Sequence, residues 1–325
     1  MRKPDLLWLS LVGLFLLLAS QGCNPKKQSP AGELSGELIV FHAGSLSVPF
    51  KELADSFMVI HPGVKVLTES AGSLASIRKI TDLKKPCDLL ASADFTLIDQ
   101  LMIPEYASWN LQFAGNELAV VYQPQSAYAA EINAGNWHRI LLLPGVKTGR
   151  SDPDSDPCGY RTVLSLKLAS TYYQKADLYK EMMNKDKQYI RPKEVDLLAL
   201  LESGTIDYIF IYKSVALQHK LPFVELPPEI NLGSYDQREF YSTVSTQVAG
   251  NTPDEKITVK GEPMIYGITV PEKAPNKKAA LAFIELLMGP TGKQILMRSG
   301  QTPLSPRTSQ KTIRLPETLK NLVRE

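Results

Sequence analysis

Residues 37–60 read ELIVFHAGSLSVPFKELADSFMVI and residues 64–83 read VKVLTESAGSLASIRKITDL. In each stretch a short run of apolar and β-branched residues gives way to small residues and then to apolar positions at helical spacing. That order predicts strand, turn and helix, twice over. The first strand covers 37–42. Ala43, Gly44 and Ser45 make the turn, and Val48, Phe50, Leu53, Ala54, Phe57 and Met58 form the apolar face of a helix ending near His61-Pro62-Gly63. The second strand covers 64–69, with Ala71-Gly72-Ser73 as its turn and a helix over 74–83. A third strand follows at 88–91, with Asp94 placed to cap the next helix. This alternation predicts an α/β fold with a parallel sheet covered by helices on both faces.

Further along, 117–123 (ELAVVYQ) is a strand, and 141–148 leads into an Asp-rich loop at 151–157. Helices over 159–174 and near 192–203, the latter stopped by Ser203-Gly204, precede a strand at 208–212. Residues 226–263 are less regular. A strand at 264–270 (MIYGITV) and an amphipathic helix at 277–288 follow. A chain that enters a second lobe near 118 and returns near 266 has two crossing segments. The expected layout is therefore 37–118 with 267–325 as lobe 1 and 119–266 as lobe 2, hinged around a cleft that clamps a ligand.

Composition narrows the function. The chain has 325 residues, 44% hydrophobic and 22% charged, enough for a large core in two lobes. A formal net charge of +2 lacks the basic excess of nucleic-acid binders, so no nucleic-acid partner is expected. Three Cys and four His, with no C-x-x-C and no His pair at helical spacing, exclude ordinary structural zinc and leave oxygen ligands.

Arg2 and Lys3 precede an apolar run from Leu6 to Leu18, and Ala19-Ser20-Gln21-Gly22 lead to Cys23. This is the order of an export signal, and the run is short of the roughly 20 residues a membrane span needs. Gly22 before Cys23 is similar to a lipoprotein signal, with Ser20 where that signal prefers Leu; cleavage by the ordinary peptidase is the alternative. Residues 1–23 are thus expected to be a lipoprotein-type signal with Cys23 as lipid site, and 24–36 a polar tether. An oxidising compartment would permit a Cys87–Cys158 bridge, which spacing alone does not show.

The sharpest local signal is the duplicated tetrapeptide AGSL at 43–46 and 71–74. A serine at the start of a helix, beside free N–H groups and small residues, is either a helix cap or an anion donor, and two such turns on adjacent strands would converge. The loop from Asp152 to Pro157 resembles the start of a calcium loop, but Pro157 and Val163 stand where Gly and an acid are required. Asp156 before Pro157 fits a helix cap, and Glu194 after Pro192 fits the first turn of a helix. G-x-S-x-G, H-E-x-x-H and G-x-x-x-x-G-K-[ST] do not occur. The chain is expected to be a binding protein, not an enzyme.

Together, FHAGSLSVPFKELADSF, ESAGSLASIRKITDL, SADFTLID (92–99), SDPCGYR (155–161), ESGTIDYIFIYKS (202–214) and GQTPL (300–304) resemble the tungstate/molybdate-binding proteins of ABC importers, in the archaeal-type WtpA/ModA branch. The resemblance implies a two-lobed type II periplasmic solute-binding fold holding one oxyanion, tungstate or molybdate, as ligand and no cofactor. It implies Ser45 and Ser73 as donors to the oxyanion, with Tyr212 as a further donor or a packing residue. It also implies Asp156 and Glu194 as direct ligands of the metal centre, with Asp196 the nearby alternative to Glu194. Partners would be an ABC permease, its ATPase and, through a lipid on Cys23, the membrane outside the cytoplasm; the protein itself would be a monomer. Two other readings stay open: a binder of the same fold for sulfate or ferric ion, and an exported hydrolase using Asp156 and Glu194 as acid and base.

Overall fold

The structure is a computed structural model in which residues 33–250, 252 and 254–323 are described. The export signal, Cys23 and the tether up to residue 32 lie outside them. Residues Leu34–Glu325 cluster as one compact unit.

The chain first lays down β1 (Gly36–His42), β2 (Val64–Ser70), β3 (Leu89–Ser92) and β4 (Leu111–Gly115). It then builds a second sheet from β5 (Leu118–Tyr122), β6 (Thr148–Ser151), β7 (Ile190–Arg191), β8 (Tyr208–Tyr212) and β9 (Phe223–Glu225). A hairpin of β10 (Ser245–Ala249) and β11 (Lys256–Lys260) follows, and β12 (Ile265–Thr269) and β13 (Thr302–Thr308) complete the first sheet. The strand orders are β13-β4-β12-β3-β1-β2 and β7-β6-β8-β5-β9. Two sheets flanked by helices, crossed between Gly115 and Leu118 and again between Lys260 and Ile265, make the two-lobed α/β architecture.

Both sheets are mixed, which corrects the expectation of a parallel sheet. β1 pairs in parallel with β2 and β3, as strand–helix–strand units require, but β12 runs antiparallel to β3 and β4. It re-enters from the other lobe, so no crossover helix dictates its direction. The stretch at 226–263 contains the β10–β11 hairpin, where the sequence reading expects no regular strands. β13 also lies outside that reading, since Pro303 and Pro306 interrupt it; it is tolerated because it forms the sheet edge.

Helix α1 (Ser47–Ile60) buries Phe50, Leu53, Ala54 and Phe57, while Val48 stands exposed. Val48 precedes Pro49 in the first turn and points away from the sheet. Phe50 and Phe57 both meet Phe283 of α6 (Lys277–Met288), with ring centroids 5.9 and 5.4 Å apart. Between these helices in the chain come α2 (Ser73–Thr81), α3 (Phe95–Leu101), α4 (Pro157–Tyr172) and α5 (Leu197–Glu202). Cys87 and Cys158 are both free and buried, so the bridge is not formed. Since the fully buried Phe283 packs α6 against α1, Phe283→Ala should cost about 3–5 kcal/mol in denaturant unfolding. A loss below about 1 kcal/mol would contradict this packing.

Candidate oxyanion-binding site

The two AGSL turns come from the ends of adjacent parallel strands. Gly44–Leu46 is a single 3-10 turn after β1, and Ser73 opens α2 after Gly72. Ser45 and Ser73 are completely buried. Neither hydroxyl caps a helix, which corrects the structural half of the sequence reading. The cap positions belong to Ala43 for the 3-10 turn, Leu46 for α1 and Gly72 for α2, none with a side-chain bond; Ser45 lies within the 3-10 turn and Ser73 is the first residue of α2. Ser45 Oγ instead lies 2.8 Å from the Tyr266 hydroxyl, and Ser73 Oγ accepts the Ala93 N–H at 3.0 Å.

The opposite wall comes from lobe 2. Asp156 is the N-cap residue of α4 with Pro157 behind it, as the Asp-Pro pair suggests, and it is 1% exposed. Its Oδ2 accepts the backbone N–H of Glu194 at 3.0 Å, and Glu194 is itself fully buried in a 3-10 turn before α5. Asp196 lies apart: its side chain is 37% exposed and 3.5 Å from Lys193.

Gly44 and Gly72 allow the two walls to meet. A Cβ on Gly44 would stand 2.7 Å from both Glu194 carboxylate oxygens. On Gly72 it would stand 2.3 Å from the Ser155 carbonyl oxygen and 3.1 Å from Asp156 Cβ. At Gly72 the clash is with backbone and no side chain fits, while at Gly44 a side chain would have to displace the buried Glu194 carboxylate, so close approach calls for glycine. The structure thereby brings Ser45 beside Glu194 and Ser73 beside Asp156.

The electrostatics are unusual. Burial raises the Glu194 carboxyl well above its ordinary range, and the neighbouring Asp156 carboxylate adds to the effect. Burial also raises Asp156, offset in part by the Glu194 N–H that it accepts and by the polarity of the nearby Ser151 hydroxyl. Neither Glu194 oxygen accepts a hydrogen bond of good geometry, although the Ser45 N–H lies near enough to favour its charge. The nearest buried cation, Arg161, is committed elsewhere. Its Nη2 lies 3.3 Å from Asp94 Oδ2, and its Nη1 donates to the Ala93 carbonyl at 2.7 Å and approaches the Tyr212 hydroxyl at 3.4 Å. Tyr160 donates to the same Asp94 oxygen at 2.6 Å. Asp94 also caps α3 through Thr96 N–H, so the expected cap is present and has a second use between the lobes. Tyr212 is buried beside Arg161, and burial raises its hydroxyl well above the ordinary value.

Sequence reasoning did not single out Asn116, Tyr160, Arg161 or Tyr266. An arginine beside Tyr160 at the start of helix 159–174 and one tyrosine in MIYGITV were the available signals. Among the described residues, no three His, Cys, Asp or Glu side chains gather as a metal-ion site would need, and no helix is long and apolar enough to cross a membrane.

A family model described as bacterial extracellular solute-binding protein matches residues 38–302. The chain belongs to this family of extracellular solute-binding proteins. Among its relatives, an uncharacterized solute-binding protein of Petrotoga mobilis is 48% identical, covering 90% of this chain and 92% of its own. The molybdate/tungstate-binding protein WtpA of Pyrococcus abyssi is 42% identical over 97% of this chain and 96% of its own. In fold, this solute-binding protein is similar to the periplasmic molybdate-binding protein of Azotobacter vinelandii, with a TM-score of 0.59 at 17% identity, covering 82% of this chain and 98% of that one. That likeness identifies the type II periplasmic binding fold.

The buried pair makes the ligand-stripped protein sensitive to pH. Unfolded carboxyls titrate near pH 4, so between there and their raised folded values the folded state holds more protons than the unfolded state. Stability should therefore fall as pH rises above about 4, through about 6 for Asp156 and further for Glu194, by up to about 1.4 kcal/mol per pH unit for each proton held. Glu194→Gln should flatten the fall in thermal melts. An equal slope in that variant would place the titration elsewhere.

Proposed function

We propose that this solute-binding protein captures tungstate or molybdate in the cleft between lobes 37–118 with 267–325 and 119–266, and delivers it to an ABC permease driven by its ATPase. The observation that carries the reading is the Asp156–Glu194 pair: two buried carboxylates, without a cation of their own, seated on the two AGSL turns. Two carboxylates facing an ordinary dianion would repel it by several kcal/mol in a dry site. A tungsten(VI) or molybdenum(VI) centre removes the conflict, because it accepts two further hard oxygen ligands and expands from four to six coordination. Sulfur and phosphorus in sulfate and phosphate do not expand in this way, so the pair also rejects the commoner anions. Relatives named molybdate/tungstate-binding protein support the assignment.

In this reading Asp156 and Glu194 bond the metal centre, Ser45 and Ser73 donate to its oxo groups, and Tyr212 donates from the lobe-2 side. Glycines at 44 and 72 let the lobes close tightly enough for both sets to act on one ion. No step makes or breaks a covalent bond of an organic substrate, so the protein is a carrier and not an enzyme. It acts outside the cytoplasm as a monomer, held at the membrane by a lipid on Cys23, and binds no nucleic acid.

X-ray absorption of the tungstate complex should find more than four oxygen neighbours, two at longer distance. The Asp156→Asn, Glu194→Gln double variant should return the ion to four and lose selectivity over sulfate, while Asp196→Asn should behave as the parent. Four equal short bonds in the parent would overturn coordination by carboxylates. In calorimetric titrations, Ser45→Ala and Ser73→Ala should each weaken tungstate binding by about 1.5–3 kcal/mol, the scale of a hydrogen bond to a charged group. Ser73→Ala should also lose about 1–3 kcal/mol of stability, because the buried Ala93 N–H loses its acceptor. Unchanged affinity in both variants would remove the serines from the site.

A further inference from the structure

The Ser45 hydroxyl belongs to a chain of side chains that reaches both lobe crossings. It lies 2.8 Å from the Tyr266 hydroxyl, which lies 2.7 Å from the Asn116 amide nitrogen. Asn116 sits in the crossing between β4 and β5, and Tyr266 on β12, the strand that follows the return crossing. All three residues are buried.

Chemistry sets the direction of the bonds around Asn116, and the pairing of buried protons orients the rest of the chain. A backbone N–H can only donate, and Asn116 Oδ1 receives two of them, from Glu117 at 2.9 Å and Ser214 at 3.4 Å. The amide is therefore oriented with its nitrogen toward the other side. That nitrogen has two hydrogens and two acceptors, Ser214 Oγ and the Tyr266 oxygen, each at 2.7 Å. Tyr266 accepts there, and donating its single proton to its remaining neighbour, Ser45 Oγ, is the arrangement that leaves no buried phenol proton unpaired. Ser45 accepts in turn, and its own proton is left for a group in the cleft. Ser73 is set the same way by the Ala93 N–H, a donor that cannot be reversed.

We propose that Asn116 and Tyr266 are positioning residues that hold Ser45 as a hydrogen-bond donor aimed at the bound oxyanion, as the Ala93 N–H does for Ser73. The proposal rests on the reading that Ser45 touches the oxyanion. A free serine hydroxyl offers a proton or a lone pair with equal ease, and a fully deprotonated oxyanion accepts only the proton. Filling the lone pair from behind selects the useful orientation before the ligand arrives, which spares the ordering cost on binding. A donor that is itself accepting a hydrogen bond is also polarised toward donation.

Tyr266→Phe removes the hydroxyl and keeps the ring, which packs 5.8 Å from Phe113. Tungstate affinity should fall about tenfold in this variant, within the range of one hydrogen bond to a charged group. In a Ser45→Ala background the same change should cost less than about twofold, because Tyr266 acts through Ser45. Equal losses in both backgrounds, or no loss in the parent background, would overturn the proposal, since packing or hinge effects do not need Ser45. Neutron diffraction of the deuterated tungstate complex reads the arrangement without any substitution. The expected result is the Tyr266 deuteron on the line to Ser45 Oγ and the Ser45 deuteron on a ligand oxygen; a Ser45 deuteron directed at Tyr266 would overturn it. A parent protein that binds no tungstate would overturn the oxyanion reading itself, whereas tight parental binding with an indifferent Tyr266→Phe overturns the positioning role alone.

Discussion

Two carboxylates of like charge, Asp156 and Glu194, are buried side by side with no cation of their own. Most of the surrounding architecture follows from that constraint. Isolated charges cannot be kept in a dry interior without a compensating partner, so the pair must hold protons or meet a centre that accepts oxygen ligands. Everything close to it is arranged for contact without adding charge: two glycine turns, two serine hydroxyls, and backbone N–H groups from helical first turns.

The cation that could have neutralised the pair is used to fasten the lobes instead. Arg161 stands on the same helix that Asp156 opens, and it reaches across to Asp94 and the Ala93 carbonyl at the end of β3. Tyr160 reaches the same carboxylate. Burial disfavours the guanidinium charge, and the Asp94 carboxylate restores it. A second fastening lies farther out, where Arg78 of α2 donates to the Ala249 and Gly250 carbonyls of the hairpin and Asp154 accepts the Ala249 N–H at 2.6 Å. The loop that carries Asp156 is thus tied both to lobe 1 and to the hairpin. Loop and lobe contacts converge on the segment that carries Asp156, which is the arrangement a clamp requires.

Much of this was readable along the chain. The strand–turn–helix units at 37–60 and 64–83, the Asp156-Pro157 helix start and the strand at 208–212 depend on local rules: side-chain period, turn residues and cap chemistry. They formed where those rules placed them. Elements without a local signature were missed. The edge strand β13 contains prolines and pairs with the distant β4, and the β10–β11 hairpin lies in a polar stretch without a clear alternating pattern. The direction of β12 escaped for a related reason, since it depends on how the chain returns from the other lobe.

The AGSL serines mark the limit of local reading. Their neighbourhood, between strand and helix and beside glycine, is a property of the tetrapeptide and its flanks, and so is the α/β class. Whether a hydroxyl caps its own helix or faces a cleft is decided by a rotation of one residue in the turn. That rotation is set by groups outside the tetrapeptide: the distant Tyr266 for Ser45, and Ala93, on the next strand's end, for Ser73. The choice between Glu194 and Asp196 is of the same kind. Both are carboxylates in one short turn, and only the packing of that turn on Gly44 sends the first into the interior and the second toward Lys193 at the surface. Residue types and their spacing therefore select the fold and the candidate chemistry, whereas the proton direction at Ser45 and the burial of Glu194 against Gly44 arise from contacts between segments more than a hundred residues apart.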